Sequence, residues 1–252
     1  MKIRVFEDAL ALSLAAAADA AARLRETLAR QRTARLVAAT GTSQLAFLDA
    51  LGRQPGVEWS RVELFHLDEY LGLPRGHHAS FRRFIEERLI APTGIAHAHL
   101  LSPDEDPAVS LPRLQAAIAA APIDLTFAGI GENAHLAFND PPADFATDEP
   151  FLVVSLDEAC RRQQVGEGWF ATLAEVPTRA VTMSVRQILK AREILCLVSG
   201  ERKRTAMAAS FGDAPIRPEV PASALQEHAR ATVYADLEAV AGLTPPQLAR
   251  WT

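Results

Sequence analysis

The segment Ile-Asp-Leu-Thr-Phe-Ala-Gly-Ile-Gly, residues 123–131, decides the fold class. Its apolar run from Ile123 to Ala128 predicts a buried strand, and the glycines that follow predict a tight turn at the carboxyl end of that strand. The preceding stretch, Leu111 to Ala121, has the composition of a helix. A helix, a buried strand and a glycine turn in this order indicate an α/β protein.

The same order recurs on both sides of this segment. Arg35–Ala39 is a compact apolar run that ends at a glycine turn, after which leucines resume helical spacing from Leu45. Continuously apolar strands that alternate with helices predict a mostly parallel sheet with helices on both faces. The further predicted strands are Lys2–Val5, Val62–Leu67, Ala180–Met183, Ile194–Ser199 and Ala231–Tyr234, and the further predicted helices are Asp8–Arg30 and Phe81–Leu89.

No linker, repeat or low-complexity block divides the 252-residue sequence. A chain of this length can form one α/β domain, so a single domain over residues 1–252 is expected. The acidic, proline-rich stretch from Asp140 to Pro150 is expected to be a mobile loop within that domain.

Composition limits the function classes. The net charge of −5 and the pI near 5.8 argue against general nucleic-acid binding. No apolar run approaches the roughly 18 residues of a membrane span, and residues 1–8 lack the order of a signal peptide. The two isolated cysteines, Cys160 and Cys196, fit neither a disulfide framework nor a zinc site, and Cys196 lies in an apolar run typical of a core. A cytoplasmic protein that binds neither nucleic acid nor membranes is expected.

The first loop with chemical potential contains Gly41, Thr42 and Ser43, between a predicted strand and a predicted helix. Free backbone N–H groups at the start of a helix, together with hydroxyl groups, form a site for an anion such as phosphate. An ordinary helix N-cap explains the same residues equally well. The glycine-lysine pair of a P-loop is absent, so a nucleoside triphosphate is not indicated.

The second loop carries two adjacent carboxylates, Asp68 and Glu69, after the predicted strand Val62–Leu67. A solvated turn is the commoner explanation of such a pair, but ligand sites of parallel sheets lie outside the carboxyl ends of strands, which adds weight to a functional role. Neighbours in sequence point in different directions. One carboxylate is therefore expected to enter a cleft while the other makes structural hydrogen bonds.

The third loop, residues 129–140, satisfies the looser dinucleotide fingerprint, but it meets a proline pair almost at once instead of opening a helix. Its glycines, Gly131 included, are better explained by close approach of the backbone to a ligand. His135 lies beside them with Asn133 and Asp140 as orienting partners, and a histidine backed by a carboxylate can transfer protons near neutral pH. A structural histidine is the alternative.

The fourth loop places basic residues after the strand Ile194–Ser199. Lys203 is a candidate phosphate ligand, because cations in the first turn of a helix oppose its dipole and favour an added anion. A solvated cationic face explains such runs more often. The histidines at 77, 78, 97 and 99 are interpreted as surface or loop residues, since no Cys or acidic ligands stand at usual metal-site spacings, and no metal is expected.

With these loops identified, the chain resembles the glucosamine-6-phosphate deaminase family, within the wider group that includes 6-phosphogluconolactonase. The Leu-Asp-Glu-Tyr segment at 67–70 and the His-Leu-Ala-Phe-Asn-Asp-Pro segment at 135–141 are the specific matches, whereas the glycine loops are generic. The matching segments are Ala39–Ser43, His66–Leu73, Ser80–Phe81, Gly129–Pro141 and Gly200–Lys203.

The resemblance implies a Rossmann-like α/β fold of the ribose-5-phosphate isomerase and CoA-transferase type, with a lid around residues 143–176. It also implies an aldose–ketose isomerisation with deamination, which converts glucosamine 6-phosphate and water to fructose 6-phosphate and ammonia without a cofactor. On this resemblance, Asp68 looks like the base that moves a proton between C2 and C1, and His135 like the histidine that assists ring opening. The positions that match phosphate ligands are Gly41, Thr42, Ser43 and Lys203.

Two positions around the histidine depart from the family pattern. Members often have Asp where Asn133 stands and Glu where Asp140 stands. His135 is therefore expected to be oriented by a neutral amide on one side and by a shorter carboxylate on the other. Glu69 and Gly131 are further candidates for contact with the substrate.

The lid region also departs from the family pattern. Gly168-Trp169-Phe170 stands where members usually have an arginine before an aromatic pair. Arg161 or Arg162 is expected to supply the missing charge to the phosphate.

Three alternatives to the glucosamine enzyme stay open from the sequence. A galactosamine-6-phosphate deaminase is nearly as well supported, because no residue reveals how C4 is recognised. A 6-phosphogluconolactonase is disfavoured by Tyr70, where that branch usually has Arg, and by the Asn133-Ala134 pair, where it usually has Asp-Gly. A non-catalytic sugar-phosphate-binding module ranks below both. A homo-oligomer is compatible with the sequence, which carries no direct evidence on oligomeric state.

Overall fold

The computed structural model describes residues 1–251. The strands are β1 Lys2–Phe6, β2 Ala34–Ala38, β3 Val62–His66, β4 Asp68–Tyr70, β5 His97–His99, β6 Leu125–Gly129, β7 Phe151–Ser155, β8 Arg179–Met183, β9 Glu193–Val198 and β10 Ala231–Asp236. The helices are α1 Ala9–Arg30, α2 Leu45–Gly52, α3 Phe81–Ile85, α4 Ala91–Thr93, α5 Pro107–Ala119, α6 Glu158–Gly166, α7 Val185–Leu189, α8 Arg204–Phe211, α9 Leu237–Val240 and α10 Pro245–Ala249.

Seven parallel strands form the central sheet in the order β1-β10-β9-β6-β2-β3-β5. Strands β2 and β10 are buried along their whole length, which requires cover on both faces of the sheet. The α/β fold with a mostly parallel sheet is thus confirmed. The chain runs outward from β2 to β3 and from β6 to β9 in opposite directions, so the crevice between β2 and β6 is the topological switch point, where ligands bind in such sheets.

The long helix α1 shows how local sequence produces this packing. Asp8 caps it by accepting a hydrogen bond from the backbone N–H of Ala11 at 2.8 Å. Half of the eight buried residues of α1 are alanines, such as Ala16 and Ala20, whose small side chains let α1 lie close to the sheet. Cys196 is fully buried in β9, as the apolar run around it predicted.

A second, antiparallel sheet has the order β4-β8-β7 and corrects part of the sequence prediction. Ala180–Met183 is a strand, as predicted, but it belongs to this small sheet and not to the parallel one. The physical reason is the bend after His66, which turns the chain so that Asp68 in β4 pairs with Thr182 in β8. Strand β7 was not predicted, although Phe151–Val154 is a short apolar run. Within residues 1–251 it lies at the edge of the small sheet and pairs with β8 alone, so only Phe151 is buried.

The second departure concerns His97–His99, which was interpreted as surface or loop and instead forms edge strand β5 beside β3. The ring of His99 stacks on Phe65, and its Nε2 lies 2.9 Å from Glu63 Oε1. Contacts with residues distant in sequence therefore stabilise a three-residue strand that is too short to predict from its own sequence. The stretch from Asp140 to Pro150 forms neither helix nor strand, as expected, and its mobility stays a prediction.

Two apolar clusters organise the interior near the switch point. The main cluster fills the parallel sheet and its helices. The other surrounds Tyr70, whose ring centroid lies 4.9 Å from that of Phe81, 5.1 Å from that of Phe138 and 5.5 Å from that of Phe170. This aromatic cluster packs residues 151–183 against the end of β4. Within residues 1–251, no helix combines the length and apolar composition that a bilayer-spanning segment requires.

Candidate active site

A cleft of about 100 Å³ opens over the carboxyl ends of β9, β6, β2 and β3, at the switch point of the sheet. Four separate loops contribute to it, because the ends of adjacent parallel strands meet at one edge. The sequence-predicted residues that line it are Gly41, Thr42, Ser43, Asp68, Gly131, His135 and Lys203.

Two similar turns form one side of the cleft. Gly41 has a φ of 100° and precedes a 3₁₀ turn at Thr42–Gln44 that leads into α2, while Gly200 has a φ of 89° and precedes a 3₁₀ turn at Glu201–Lys203 that leads into α8. Positive φ is the reason for glycine at both positions, since a Cβ would meet no atom within 4 Å at either. Both turns present backbone N–H groups that no helical carbonyl accepts, which suits an anion.

Lys203 brings a positive charge to this side of the cleft. Burial lowers the pKa of its ammonium group, and the nearby carboxylates of Glu167 and Glu132 partly offset that effect. Lys203 forms no ion pair with any residue among 1–251. A half-buried cation without an ion-pair partner among residues 1–251 favours the binding of an anionic group here.

Asp68 lies at the start of β4 and is only 6% exposed. Its carboxylate lines the cleft and accepts no hydrogen bond from any residue among 1–251. Burial, reinforced by the charge of Glu69, raises its pKa well above the ordinary value for an aspartate. A buried carboxylate with no donor and a raised pKa is suited to accept a proton from a bound substrate.

Glu69 faces away from the cleft and is 1% exposed. Its carboxylate accepts hydrogen bonds from Ser80 Oγ and Arg82 N at 2.8 Å each, from Tyr70 N at 2.9 Å and from Phe81 N at 3.2 Å. Glu69 thereby fixes the start of α3 against β4. The predicted division between one cleft carboxylate and one structural carboxylate is found, and the expected contact of Glu69 with substrate is not supported.

His135 enters the cleft from a tightly folded loop in which Ala134 and Ala137 have positive φ values of 65° and 53°. A Cβ added at Gly131 would lie 2.3 Å from the imidazole ring. Gly131 lines the cleft, but the space its missing side chain leaves is occupied by His135. Its main role is therefore to admit the imidazole, which differs from the expected approach of backbone to ligand.

Asp140 lies behind the imidazole, with its Oδ1 3.3 Å from Nδ1 of His135. Burial alone would raise the pKa of Asp140, but the nearby imidazole of His135, with smaller contributions from the Asp157 N–H and the Asn133 amide, holds it below the ordinary value. Asn133 was expected to orient the imidazole ring directly, but its amide does not contact the ring. Its Oδ1 accepts the backbone N–H of His135 at 3.1 Å, because the turn folds the amide back on the main chain.

Helix α6 and its C-cap residue contribute three cleft residues that were not predicted from the sequence, Gln163, Gln164 and Glu167. Gln163 accepts a hydrogen bond from the backbone N–H of Glu132 at 2.8 Å, and Gln164 accepts one from the hydroxyl of Tyr70 at 2.7 Å. These bonds join α6 to the glycine loop and to β4. The sequence contained one signal for this helix: Asp157 followed by Glu158 is a typical helix start, inside the region predicted to be a lid.

Neither arginine of α6 reaches the cleft. Arg161 donates to the backbone carbonyls of Leu173 and Val176, and Arg162 forms an exposed pair with Glu158. The expectation that one of them supplies charge to a phosphate is therefore not met. The helical phase of α6 points both side chains away from the cleft, which the sequence could not show without the helix boundaries.

The side chains of His135, Asp140 and Cys160 bring one potential metal ligand each within 4.8 Å of one another. Both oxygens of Asp140 already accept hydrogen bonds, from the Asn133 amide and from the backbone N–H of Asp157. Burial and the charges of Asp140 and Asp157 raise the pKa of the Cys160 thiol well above its ordinary value, which opposes the thiolate that a metal requires. The donor set fits a hydrogen-bonded cluster better than a metal site.

Comparison with known proteins gives consistent matches. Residues 7–234 match the sequence profile of the family described as glucosamine-6-phosphate isomerases/6-phosphogluconolactonase. The glucosamine-6-phosphate deaminase of Pseudarthrobacter chlorophenolicus is 35% identical over 233 residues, which cover 90% of this chain and 87% of that protein. The enzyme of the same name from Exiguobacterium sp. is 34% identical over 229 residues, which cover 88% of each chain.

Solved structures of similar shape belong to two kinds of enzyme. A monomeric glucosamine-6-phosphate deaminase has a TM-score of 0.87 at 27% identity, with 96% of this chain and all of that chain (100%) covered. A 6-phosphogluconolactonase from Shewanella baltica has a TM-score of 0.76 at 19% identity, with 94% and 97% covered. The second likeness shows the shared fold alone.

Proposed function

Because the chain belongs to the glucosamine-6-phosphate isomerase and 6-phosphogluconolactonase family, we propose that it converts glucosamine 6-phosphate and water to fructose 6-phosphate and ammonia. The observation that carries this proposal is the carboxylate of Asp68, which is buried, accepts no hydrogen bond from the described residues 1–251 and lies in the same cleft as His135 and Lys203. Relatives named for this reaction support the substrate class.

The phosphate binds at the two glycine turns. Lys203 supplies the charge, and the backbone N–H groups and hydroxyls of Thr42 and Ser43 supply hydrogen bonds. Gln44 holds this turn against β6 by donating to Ser43 Oγ at 3.2 Å and to Ala128 O at 3.3 Å. Anchoring the phosphate away from the reacting carbons converts its binding energy into orientation of those carbons.

Asp68 transfers a proton between two carbons of the open-chain sugar. Its carboxylate removes the proton from C2, which gives an enolamine, and returns the proton to C1, which gives the imine of the ketose. Water then adds to the C2 imine carbon and the nitrogen leaves as ammonia. No electron is exchanged with an external carrier in this sequence, so the reaction balances with water as the only co-substrate.

His135 assists ring opening by moving a proton between the ring oxygen and the C1 hydroxyl. Gly131 makes room for its imidazole, and Asp140 holds Nδ1 from behind, which orients the other ring nitrogen toward the cleft. The imidazole accepts the proton of the C1 hydroxyl and donates a proton to the ring oxygen, so it passes between its neutral and charged forms during this step.

The proposal is tested by incubating the purified protein separately with glucosamine 6-phosphate, galactosamine 6-phosphate and 6-phosphogluconolactone. We expect ammonia and a ketose phosphate from the glucosamine substrate. Faster ammonia release from the galactosamine substrate would transfer the assignment to the C4 epimer. Acid release from the lactone, without ammonia from either amino sugar, would instead indicate a 6-phosphogluconolactonase. Binding of these sugar phosphates without any turnover would indicate a non-catalytic sugar-phosphate-binding module.

Other parts of the proposal concern organisation. We propose that residues 1–252 act as one domain, that residues 143–176 form the lid over the cleft, and that the protein works in the cytoplasm, which its two unpaired, buried cysteines support. No cofactor is needed for the steps above. A homo-oligomer stays a prediction that light scattering after size exclusion can check.

A further inference from the structure

Asn133 bridges two carboxylates next to the imidazole. Its side-chain nitrogen donates one hydrogen to Asp140 Oδ1 and the other to Asp157 Oδ2, each over 3.1 Å, while its oxygen accepts the backbone N–H of His135. These three contacts define the orientation of the amide, because a reversed amide would set its oxygen against both carboxylates. Only an amide in this orientation satisfies all three partners.

Asp157 is connected to the same cluster by two further bonds. Its backbone N–H donates to Asp140 Oδ2 at 3.0 Å, and its Oδ1 accepts the backbone N–H of Cys160 at 2.6 Å as the N-cap of α6. Asp140 is therefore held on one oxygen by Asn133 and on the other by Asp157. Its Oδ1 lies 3.3 Å from Nδ1 of His135 at the same time.

While position 157 carries a carboxylate, the side chain at position 133 has to be neutral. A carboxylate in place of the Asn133 amide would meet the carboxylates of Asp140 and Asp157, and the side chain of Asp140 is only 8% exposed. Carboxylates in such contact cannot all ionise without a large cost, so one of them would take up a proton. The negative charge behind His135 would then be shared differently, and the hydrogen bonds that orient Asp140 would be lost.

We propose that Asp157 is a positioning residue for the reaction, which acts on His135 through Asn133 and Asp140, and that Asn133 and Asp157 work as one matched pair. The inference rests on the proposed function, in which His135 assists ring opening. The pair also joins the start of α6 to the glycine loop, so the helix that carries Gln163 into the cleft is set by the same bonds that set the imidazole.

The test is a cycle of four full-length proteins: wild type, Asp157→Asn, Asn133→Asp and the double variant. Asparagine keeps the cap of α6 but offers one oxygen where Asp157 offers two. We expect Asp157→Asn to lower kcat about tenfold, the size of effect found between groups that share a partner. The KM for glucosamine 6-phosphate should stay within about twofold, since the phosphate turns are untouched.

Asn133→Asp is expected to lower kcat about 100-fold in the wild-type background, because it disturbs a proton-transfer group directly. In the Asp157→Asn background the same change should cost about tenfold less, since one of the three carboxylates is gone. Asp106→Asn is the matched control. Asp106 caps α5 by accepting the N–H of Ala108 at 2.9 Å and lies outside the cleft, so its loss should leave kcat and KM unchanged.

Two results would overturn the inference: an equal effect of Asn133→Asp in both backgrounds, or a kcat for Asp157→Asn equal to that of wild type. Absence of ammonia release by the wild-type protein from either amino-sugar phosphate would instead remove the proposed function. In that case the melting temperatures of the same four proteins still test whether Asn133 and Asp157 interact, because this measurement does not depend on turnover. Asn133→Asp should lower the melting temperature less when residue 157 is Asn, and equal lowering would refute the pair.

Discussion

Asp68 and Glu69 occupy consecutive positions in β4, yet their carboxylates have opposite surroundings. Asp68 faces the cleft with no hydrogen-bond donor from residues 1–251, whereas Glu69 accepts four hydrogen bonds on the other side of the strand. Burial raises the pKa of both groups, but the donors around Glu69 partly offset the effect there. A strand sends successive side chains to opposite faces, so one residue step separates a reactive group from a structural one.

This difference shows where the protein tolerates an unfavourable arrangement. An unpaired carboxylate in a buried position destabilises the fold, and active sites are the places where such groups persist. Glu69 represents the usual solution, in which every buried oxygen finds a donor. The contrast leads to predictions in which one neighbour controls rate and the other controls stability.

The largest expected effect is that of Asp68→Asn. Asparagine cannot accept the C2 proton, so kcat should fall about 1,000-fold while inorganic phosphate binds with unchanged affinity. The pKa of Asp68 is raised in the folded state, so its contribution to stability is present at low pH and lost as pH rises through that raised pKa. The neutral variant should therefore melt at a higher temperature than wild type at pH 7.

Calorimetry at pH 7 and a single-turnover assay check both parts of this prediction. An Asp68→Asn protein that keeps more than a tenth of the wild-type kcat would remove the assignment of the base. A melting temperature below that of wild type would mean that Asp68 has a stabilising partner after all.

The next effect concerns His135, the histidine that lines the same cleft. In Gly131→Ala the added Cβ would lie 2.3 Å from the imidazole, so the ring must shift, and displacement of a catalytic group by about 1 Å costs about 100-fold in kcat. Gly52→Ala is the matched control, because its Cβ would meet Pro92 Cβ at an ordinary 3.7 Å, away from the cleft. Equal kcat values for the two variants would contradict the role given to Gly131.

Glu69→Gln should act mainly on stability. The amide keeps one acceptor oxygen and turns an NH₂ group toward backbone N–H donors, which should lower the free energy of unfolding by about 1–3 kcal/mol. Urea denaturation followed by circular dichroism measures this change. A kcat reduced as strongly as in Asp68→Asn, with stability unchanged, would reverse the roles assigned to the two neighbours.

The six longer strands of the central sheet were predictable, mainly because continuous apolar runs indicate burial on both faces of a sheet. The three-residue strands β4 and β5 and the edge strand β7 were not predicted, since they are stabilised by pairing with segments far along the chain. Asp68, His135 and Lys203 could be proposed because each follows the end of a predicted strand. Asp157 and the glutamines of α6 could not, because their place in the cleft depends on how the small sheet turns that helix toward β6.

The smallest expected effect links the two carboxylates through their charges. Asp68 must be ionised to act as a base, so activity should fall on the acid side at a pH above the ordinary aspartate pKa of about 3.9, because burial and then the charge of Glu69 raise the pKa of Asp68. Glu69→Gln removes that charge, so the acid limb of the pH–kcat profile should move to lower pH. The move requires that Glu69 be ionised over this range, and its four donors favour the ionised form although burial raises its pKa. A matched loss of charge at the exposed Asp148, in Asp148→Asn, should leave the limb in place. An acid limb that stays put in Glu69→Gln, or moves upward, would show that the two neighbours do not interact through charge and that burial alone sets the basicity of Asp68.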